Sequence, residues 1–200
     1  EIQAPLEASL AALSEIQGYE LAIDAVPMRP GERATVSGDL QVKAFRTHHR
    51  VPSLGFTLER AINKLKPEFK GLPGQEIAKL RRAKADIFDV TCRQELSYCT
   101  DTLVQALDHE PELYQSHNLI LECTFLDERK TLAAARAGCH IHLDELIERA
   151  DLFKNEALVL MHFSQLYKPR EVPEILERRC PPNLAKRVKA LLPKGNHWPG

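Results

Sequence analysis

The stretch GCHIHLDELIERA, residues 138–150, places two histidines, Asp144, Glu145 and Glu148 within thirteen positions. Imidazole nitrogens and carboxylate oxygens are ligands that zinc accepts, and they are the groups that most often move protons in catalysis. A further histidine, His162, follows His140 by twenty-two residues in LVLMHFSQLY. Similar polar residues recur just after apolar, strand-like runs. His49 follows LQVKAFRT, Asp101 follows ELSYC, Glu122 sits within LILECTF and His162 ends ALVLM. In layered α/β folds such strand-end loops meet on one rim, where ligands and metals bind. Four such groups make a metal site a reasonable hypothesis without assigning ligand roles.

The motif HIHLDEL admits two readings. On an extended segment, period two would put His140 and His142 on one face, as a mononuclear site could use. Alternatively, the segment is a helix N-cap region in which Asp144 and Glu145 favour the macrodipole and the histidines are incidental. Other charged groups read more plainly. His109 and His117 flank a solvated loop, DHEPELYQSH, and His197 lies in a Pro/Gly-containing tail. Lys79, Arg81, Arg82 and Lys84 fit a solvated helix face, as do Lys186, Arg187 and Lys189.

Elements that would position these groups follow from the patterning. Residues 5–17 read as an amphipathic helix between Pro5 and Gly18. YELAIDAV alternates like a strand, ATVSGDLQVKAFRT reads as a hairpin, and VPSLGFTLE as another strand. Pro and Gly split the basic stretch 61–86 into a short helix, a loop and a second helix. Beyond it strands ending at Asp101, Glu122 and His162 alternate with helices near 103–108, 127–137 and 143–154. Helices at 171–179 and 182–192 and a loose tail close the chain. ALVLMHF, continuously apolar, reads as a strand buried on both faces. The expectation is one layered α/β (α+β) domain over 1–200: helix 1–18, β meander 19–60, basic segment 61–86, strand/helix alternation 87–168 and C-terminal helices 169–200.

Composition sets the outer bounds. The 200 residues carry a net charge of −1, so any polyanion site must be a local patch. No apolar run reaches the ~20 residues that span a membrane, and no signal-peptide pattern opens the chain, so a cytoplasmic setting is expected. Five cysteines, an odd number with no C-x-x-C pair, read as free thiols in a reducing compartment.

Five segments, in order, resemble the ribonuclease Z family, the tRNA 3′-processing endonucleases of the metallo-β-lactamase superfamily. They are FRTHHRVPSLGF, KLKPEFKGLPGQEIAKL, YCTDT, LILECTF and CHIHLDELIERADLFKNEALVLMHFSQLY, together within about residues 20–168. The last is the most specific, because the family's catalytic histidine precedes its strand-end metal ligand by this same interval. The resemblance implies part of an αββα metallo-β-lactamase sandwich and metal ligands at His49, Asp101 and His162. Asp101 would bridge two zinc ions, with Thr100 standing where the family has glycine. It implies a catalytic His140 oriented by Glu122, with Ile141 and His142 in place of the hydroxyl residues that usually follow. His48, His142, Lys79, Arg81 and Arg82 become possible substrate contacts.

The implied activity is zinc-dependent hydrolysis of a phosphodiester, the 3′ trailer of a precursor tRNA, by a homodimer. Zinc would activate water and clamp the reacting oxygens, while His140 would stabilise charge or protonate the leaving 3′ oxygen. The family's H-x-H-x-D-H motif is not in this sequence, and three ligands do not build a two-zinc site. With the Glu1 start, the expectation is a C-terminal portion of a longer enzyme, lacking the N-terminal half of the fold and metal-poor alone. The interval from His49 to Asp101 holds only 51 residues. That is short for the family's tRNA-gripping arm and leaves room for a small phosphodiester. The alternatives are a metallo-β-lactamase-fold hydrolase of another substrate and a non-catalytic scaffold chain.

Overall fold

The computed structural model describes residues 2–198. Helix α1 (Gln3–Gln17) stops at Gly18, whose left-handed φ of 73° lets its N–H reach the Ser14 carbonyl. None of α1 is buried. Residues 20–29 form no regular element, against the strand expected at 19–26. Alternation alone stabilises nothing without a paired neighbour.

From Arg33 the chain builds one seven-stranded sheet whose spatial order follows the sequence. Strands β1 (Arg33–Ser37), β2 (Leu40–Arg46), β3 (Leu54–Leu65) and β4 (Phe88–Cys99) pair antiparallel, as a meander should. Strands β5 (Asn118–Glu122), β6 (Ala157–Met161) and β7 (Val188–Ala190) add in parallel, each reached through helical or irregular crossovers. The α/β layered class is therefore as expected.

Four boundaries differ from the sequence reading. Residues 61–65 extend β3, because pairing with Phe88–Cys92 outweighs the helical bias of RAINKL. A short 3₁₀ turn and α2 (Gly74–Arg82) then cap a two-stranded ribbon projecting beyond the other strands. Helix α4 (Leu132–Ala137) begins at an N-cap, Thr131, whose hydroxyl accepts from Ala134 N at 3.2 Å, and not at 127. Helix α5 (Leu143–Glu148) ends well before 154, and after α6 (Glu171–Arg179) the segment 182–192 splits into α7 (Pro182–Ala185) and β7. The tail is tied as far as Trp198, whose indole N–H donates to the Tyr167 carbonyl at 2.6 Å.

One face of the sheet carries the core. Leu119, Leu121, Leu158 and Leu160 are fully buried there against Leu107 of α3 (Gln105–His109), Leu146 of α5 and Leu176 of α6. The opposite face is also apolar yet poorly covered: Phe56 is 36% and Tyr98 38% exposed, and Leu58, Leu96, Ile120, Val159 and Met161 are only half-buried. Among the described residues no second layer lies over it. ALVLM is thus apolar on both faces while only one is packed. No described helix is long and apolar enough to cross a membrane.

Gly55 sits opposite Phe45 across β2 and β3. A Cβ built at residue 55 would lie 2.2 Å from the Phe45 ring, which is itself buried. Gly55→Ala is expected to lower unfolding stability by about 1–3 kcal/mol, measured by urea denaturation. An unchanged midpoint would show that Phe45 repacks freely.

Candidate active site on the strand-end rim

The C-terminal ends of β2, β4, β5 and β6 point to one rim, since β2 runs parallel to β4 across the intervening β3. Glu122 ends β5 itself, and the loops leaving these ends carry His49, Asp101, Thr124 and His162. The loop between α4 and α5 adds His140.

Asp101, His140 and His162 each offer a ligand atom, and the three atoms lie within 4.8 Å of one another. His49 joins through Asp101, with Nε2 3.5 Å from Asp101 Oδ1. The His140 ring stacks obliquely 5.3 Å from that of His162 and 6.3 Å from that of His49. Backbone geometry at these points is unusual. Asp101 (φ 55°), Cys139 (φ 65°) and His162 (φ 63°) are three of four described non-glycine residues in the left-handed region. Such conformations cost energy and persist where surrounding bonds over-determine them.

Glu122 supplies those bonds. Its carboxylate is fully buried. Oε1 accepts from the backbone N–H of Thr102, while Oε2 accepts from Thr124 Oγ1 at 2.7 Å and from Ile141 N at 3.1 Å. One side chain therefore spaces the Asp101 loop, its own strand end and the His140 loop. His140 Nδ1 lies 3.4 Å from Glu122 Oε2 and 3.6 Å from Asp101 Oδ1. This nitrogen is buried without an aligned hydrogen bond. The Glu122 carboxylate raises the His140 pKa against the opposing effect of burial, and Asp101 adds to the rise.

Thr124 settles a tautomer. Its hydroxyl hydrogen goes to Glu122, so its oxygen accepts from Nδ1–H of His162 at 3.1 Å. Nε2 of His162 then keeps its lone pair and, with the residue exposed to solvent, is free to bind a cation. Carboxylate and imidazole donors converging here are of a kind that could hold a divalent metal of zinc type.

The remaining expected residues are placed differently. His142 is buried and forms the N-cap of α5: Nδ1 accepts from Asp144 N at 3.2 Å, and Nε2–H donates to the Asp127 carbonyl at 3.1 Å. Both nitrogens are used, so His142 is corrected from substrate contact to helix cap. His48 holds its ring Nε2 2.8 Å from His109 Nδ1, and burial, then His109, lowers its pKa. Lys79, Arg81 and Arg82 lie exposed on α2 at the ribbon tip. Twelve residues of β4 at ~3.3 Å each put that tip some ~40 Å from Asp101. Thr102 and Thr124 were missed by sequence reasoning. Their signal was a hydroxyl residue one or two positions after a candidate carboxylate, in CTDT and LECT.

No family model matches the sequence. Among curated proteins, tRNase Z TRZ1 of Arabidopsis thaliana is 34% identical over 179 residues, covering 88% of this chain and 64% of that protein. tRNase Z TRZ2, chloroplastic, from the same plant is 30% identical over 157 residues, covering 78% of this chain and 44% of that protein. The chain thus spans less than two thirds of the length of either relative. In fold it is similar to the metallo-β-lactamase fold protein YhfI of Bacillus subtilis, with a TM-score of 0.54 at 13% identity over 94% of this chain and 68% of that one. It is also similar to the short form of human tRNase Z, with a TM-score of 0.50 at 18% identity over 94% of this chain and 62% of that one.

Glu122→Gln would turn an amide donor toward Thr102, Thr124 or Ile141, all donors themselves. A loss of about 1–3 kcal/mol in unfolding stability is expected, read by urea denaturation. Wild-type stability in this variant would mean that the carboxylate does not hold the loops.

Proposed function

The chain belongs to the ribonuclease Z family and shares the metallo-β-lactamase fold, and from that premise we propose that it forms the strand-end half of the active site of a zinc-dependent tRNA 3′-processing endonuclease. The observation that carries this reading is the meeting of Asp101, His140 and His162 on one rim, braced by the buried Glu122. His49, Asp101 and His162 hold the metal in this proposal. Zinc bound there supplies Lewis-acid activation of water and neutralises charge at phosphorus.

The chain's own residues do the rest. His162 is presented through Nε2 because Thr124 fixes its other nitrogen. His140 turns Nδ1 toward Glu122 and so presents Nε2 outward, where it can donate a proton to the leaving 3′ oxygen or stabilise the developing charge. The further ligands of a two-metal site and the layer over the half-exposed sheet face come, in this proposal, from chain outside the 200 residues. The exposed basic α2 at the ribbon tip suits phosphate contacts remote from the cleaved bond. A homodimer in the cytosol is part of the same proposal.

Cleavage of a precursor tRNA bearing a 3′ trailer, compared with hydrolysis of bis-p-nitrophenyl phosphate, tests the substrate. Activity on both supports tRNA processing, and turnover of the small diester alone favours a hydrolase of another substrate. His140→Ala is expected to retain zinc and lose roughly 10²–10⁴-fold in turnover, whereas Asp101→Ala loses zinc as well. Equal zinc loss in the two variants, by metal analysis after gel filtration, would make His140 a ligand, which the close approach of its ring to Asp101 and His162 also permits.

A further inference from the structure

His49 has no strand to hold it. It lies in the loop from 47 to 53, between β2 and β3, where its imidazole approaches Asp101 and its two neighbours in sequence are anchored on different elements. On one side, Arg50 donates to the Ala137 carbonyl at 2.9 Å, at the end of α4. On the other, His48 is fastened three times. Its N–H donates to Thr102 Oγ1 at 2.8 Å, its carbonyl accepts from Leu103 N at 2.9 Å, and its ring Nε2 meets His109 Nδ1 at 2.8 Å.

His109 is the fixed end of that last contact. It closes α3, where Ala106 and Leu107 are fully buried. The preceding residue, Asp108, takes a two-pronged bond from Arg149 at 3.0 Å on each oxygen. The following residue, Glu110, pairs with Lys43 of β2 at 3.3 Å. Three consecutive residues thus tie α3 to the segment after α5, to the loop of His49 and to the sheet. An imidazole on such a pinned element loses little freedom when it bonds, so the contact is well suited to orient its partner.

We infer that His109 is a positioning residue: through the His48 ring it latches the loop that carries His49 onto the loop that carries Asp101. The role follows from the geometry of the loop itself and deepens the metal reading, on which it rests only for its consequence at His49. Side-chain preorganisation within about half an ångström is what a metal or catalytic constellation needs. In this loop it comes from the backbone and ring contacts of His48 on one side, with the imidazole–imidazole bond fixing the ring, and from Arg50 on the other.

The test compares His109→Leu, which removes the ring nitrogen at similar volume, with His109→Asn, whose amide oxygen or nitrogen can occupy the Nδ1 position. Amide hydrogen exchange at His48 and Leu103 is expected to quicken roughly three- to ten-fold in His109→Leu, the worth of one net hydrogen bond. Tm and exchange in β5 and β6 stay unchanged, and His109→Asn restores protection. The His49 imidazole resonances, which sense its approach to Asp101, shift in His109→Leu and return in His109→Asn. The zinc dissociation constant rises in parallel with exchange.

Unchanged exchange in His109→Leu overturns the latch. So does a loss of protection that spreads through the sheet with a fall in Tm, because that would be plain destabilisation. Faster exchange with unmoved His49 resonances overturns the positioning role. If wild-type protein binds no zinc, the metal reading falls by itself, and exchange and the His49 resonances still decide the latch.

Discussion

A fully buried carboxylate with no lysine or arginine beside it is costly unless donors surround it. Glu122 meets that condition with donors drawn from three separate loops, the N–H groups of Thr102 and Ile141 and the hydroxyl of Thr124, with the His140 ring alongside. The requirement works in both directions. Each donor satisfies the anion, and the anion fixes where each loop must pass. Asp101 is held by being next to Thr102, and His140 by being next to Ile141. His162 is reached through the same hydroxyl that serves Glu122. The spacing of the site is therefore a consequence of solvating one anion without water.

That constraint also accounts for the backbone. Asp101, Cys139 and His162 occupy the left-handed region without being glycine. Asp101 lies beside Thr102, which Glu122 holds, His162 is itself held by Thr124, and Cys139 lies two residues before Ile141, whose N–H donates to Glu122. In a β-strand the side chain of the next residue would point to the opposite face, and a left-handed residue is an abrupt way to redirect it at a strand end. The cost is tolerable because neighbouring hydrogen bonds leave no relaxed alternative.

The pattern of the sequence announced the strands that end at the site and the fact that their last residues would meet, because alternation and apolar runs report burial directly. It also carried the helix at 171–179, whose ends the structure reproduces. What it could not report was pairing. RAINKL became strand because Phe88–Cys92 lies beside it, Val188–Ala190 became strand because β6 needed an edge, and YELAIDAV found no neighbour. HIHLDEL illustrates the same limit at one residue. Spacing joins His140 and His142, but the start of α5 engages both ring nitrogens of His142 in a cap, while His140 stays at the rim. Thr124 carried only a weak signal for a related reason, since a hydroxyl two positions after Glu122 gains its role once Glu122 and His162 stand on either side of it.

The half-exposed sheet face and the rim belong to one design. In β5, Ile120 and Glu122 are two residues apart and so share a face, the face on which Phe56, Tyr98 and Val159 also lie. Loops fold over that face only at its end, covering Glu122 while leaving Asp101 partly open and His162 exposed. A layer packed on Phe56 and Tyr98 would therefore arrive beside the open side of the candidate metal donors. Burying those apolar side chains and completing the coordination would then be a single event. An anion already satisfied from within is compatible with this, because the bonds that set the rim's geometry do not depend on that face being covered.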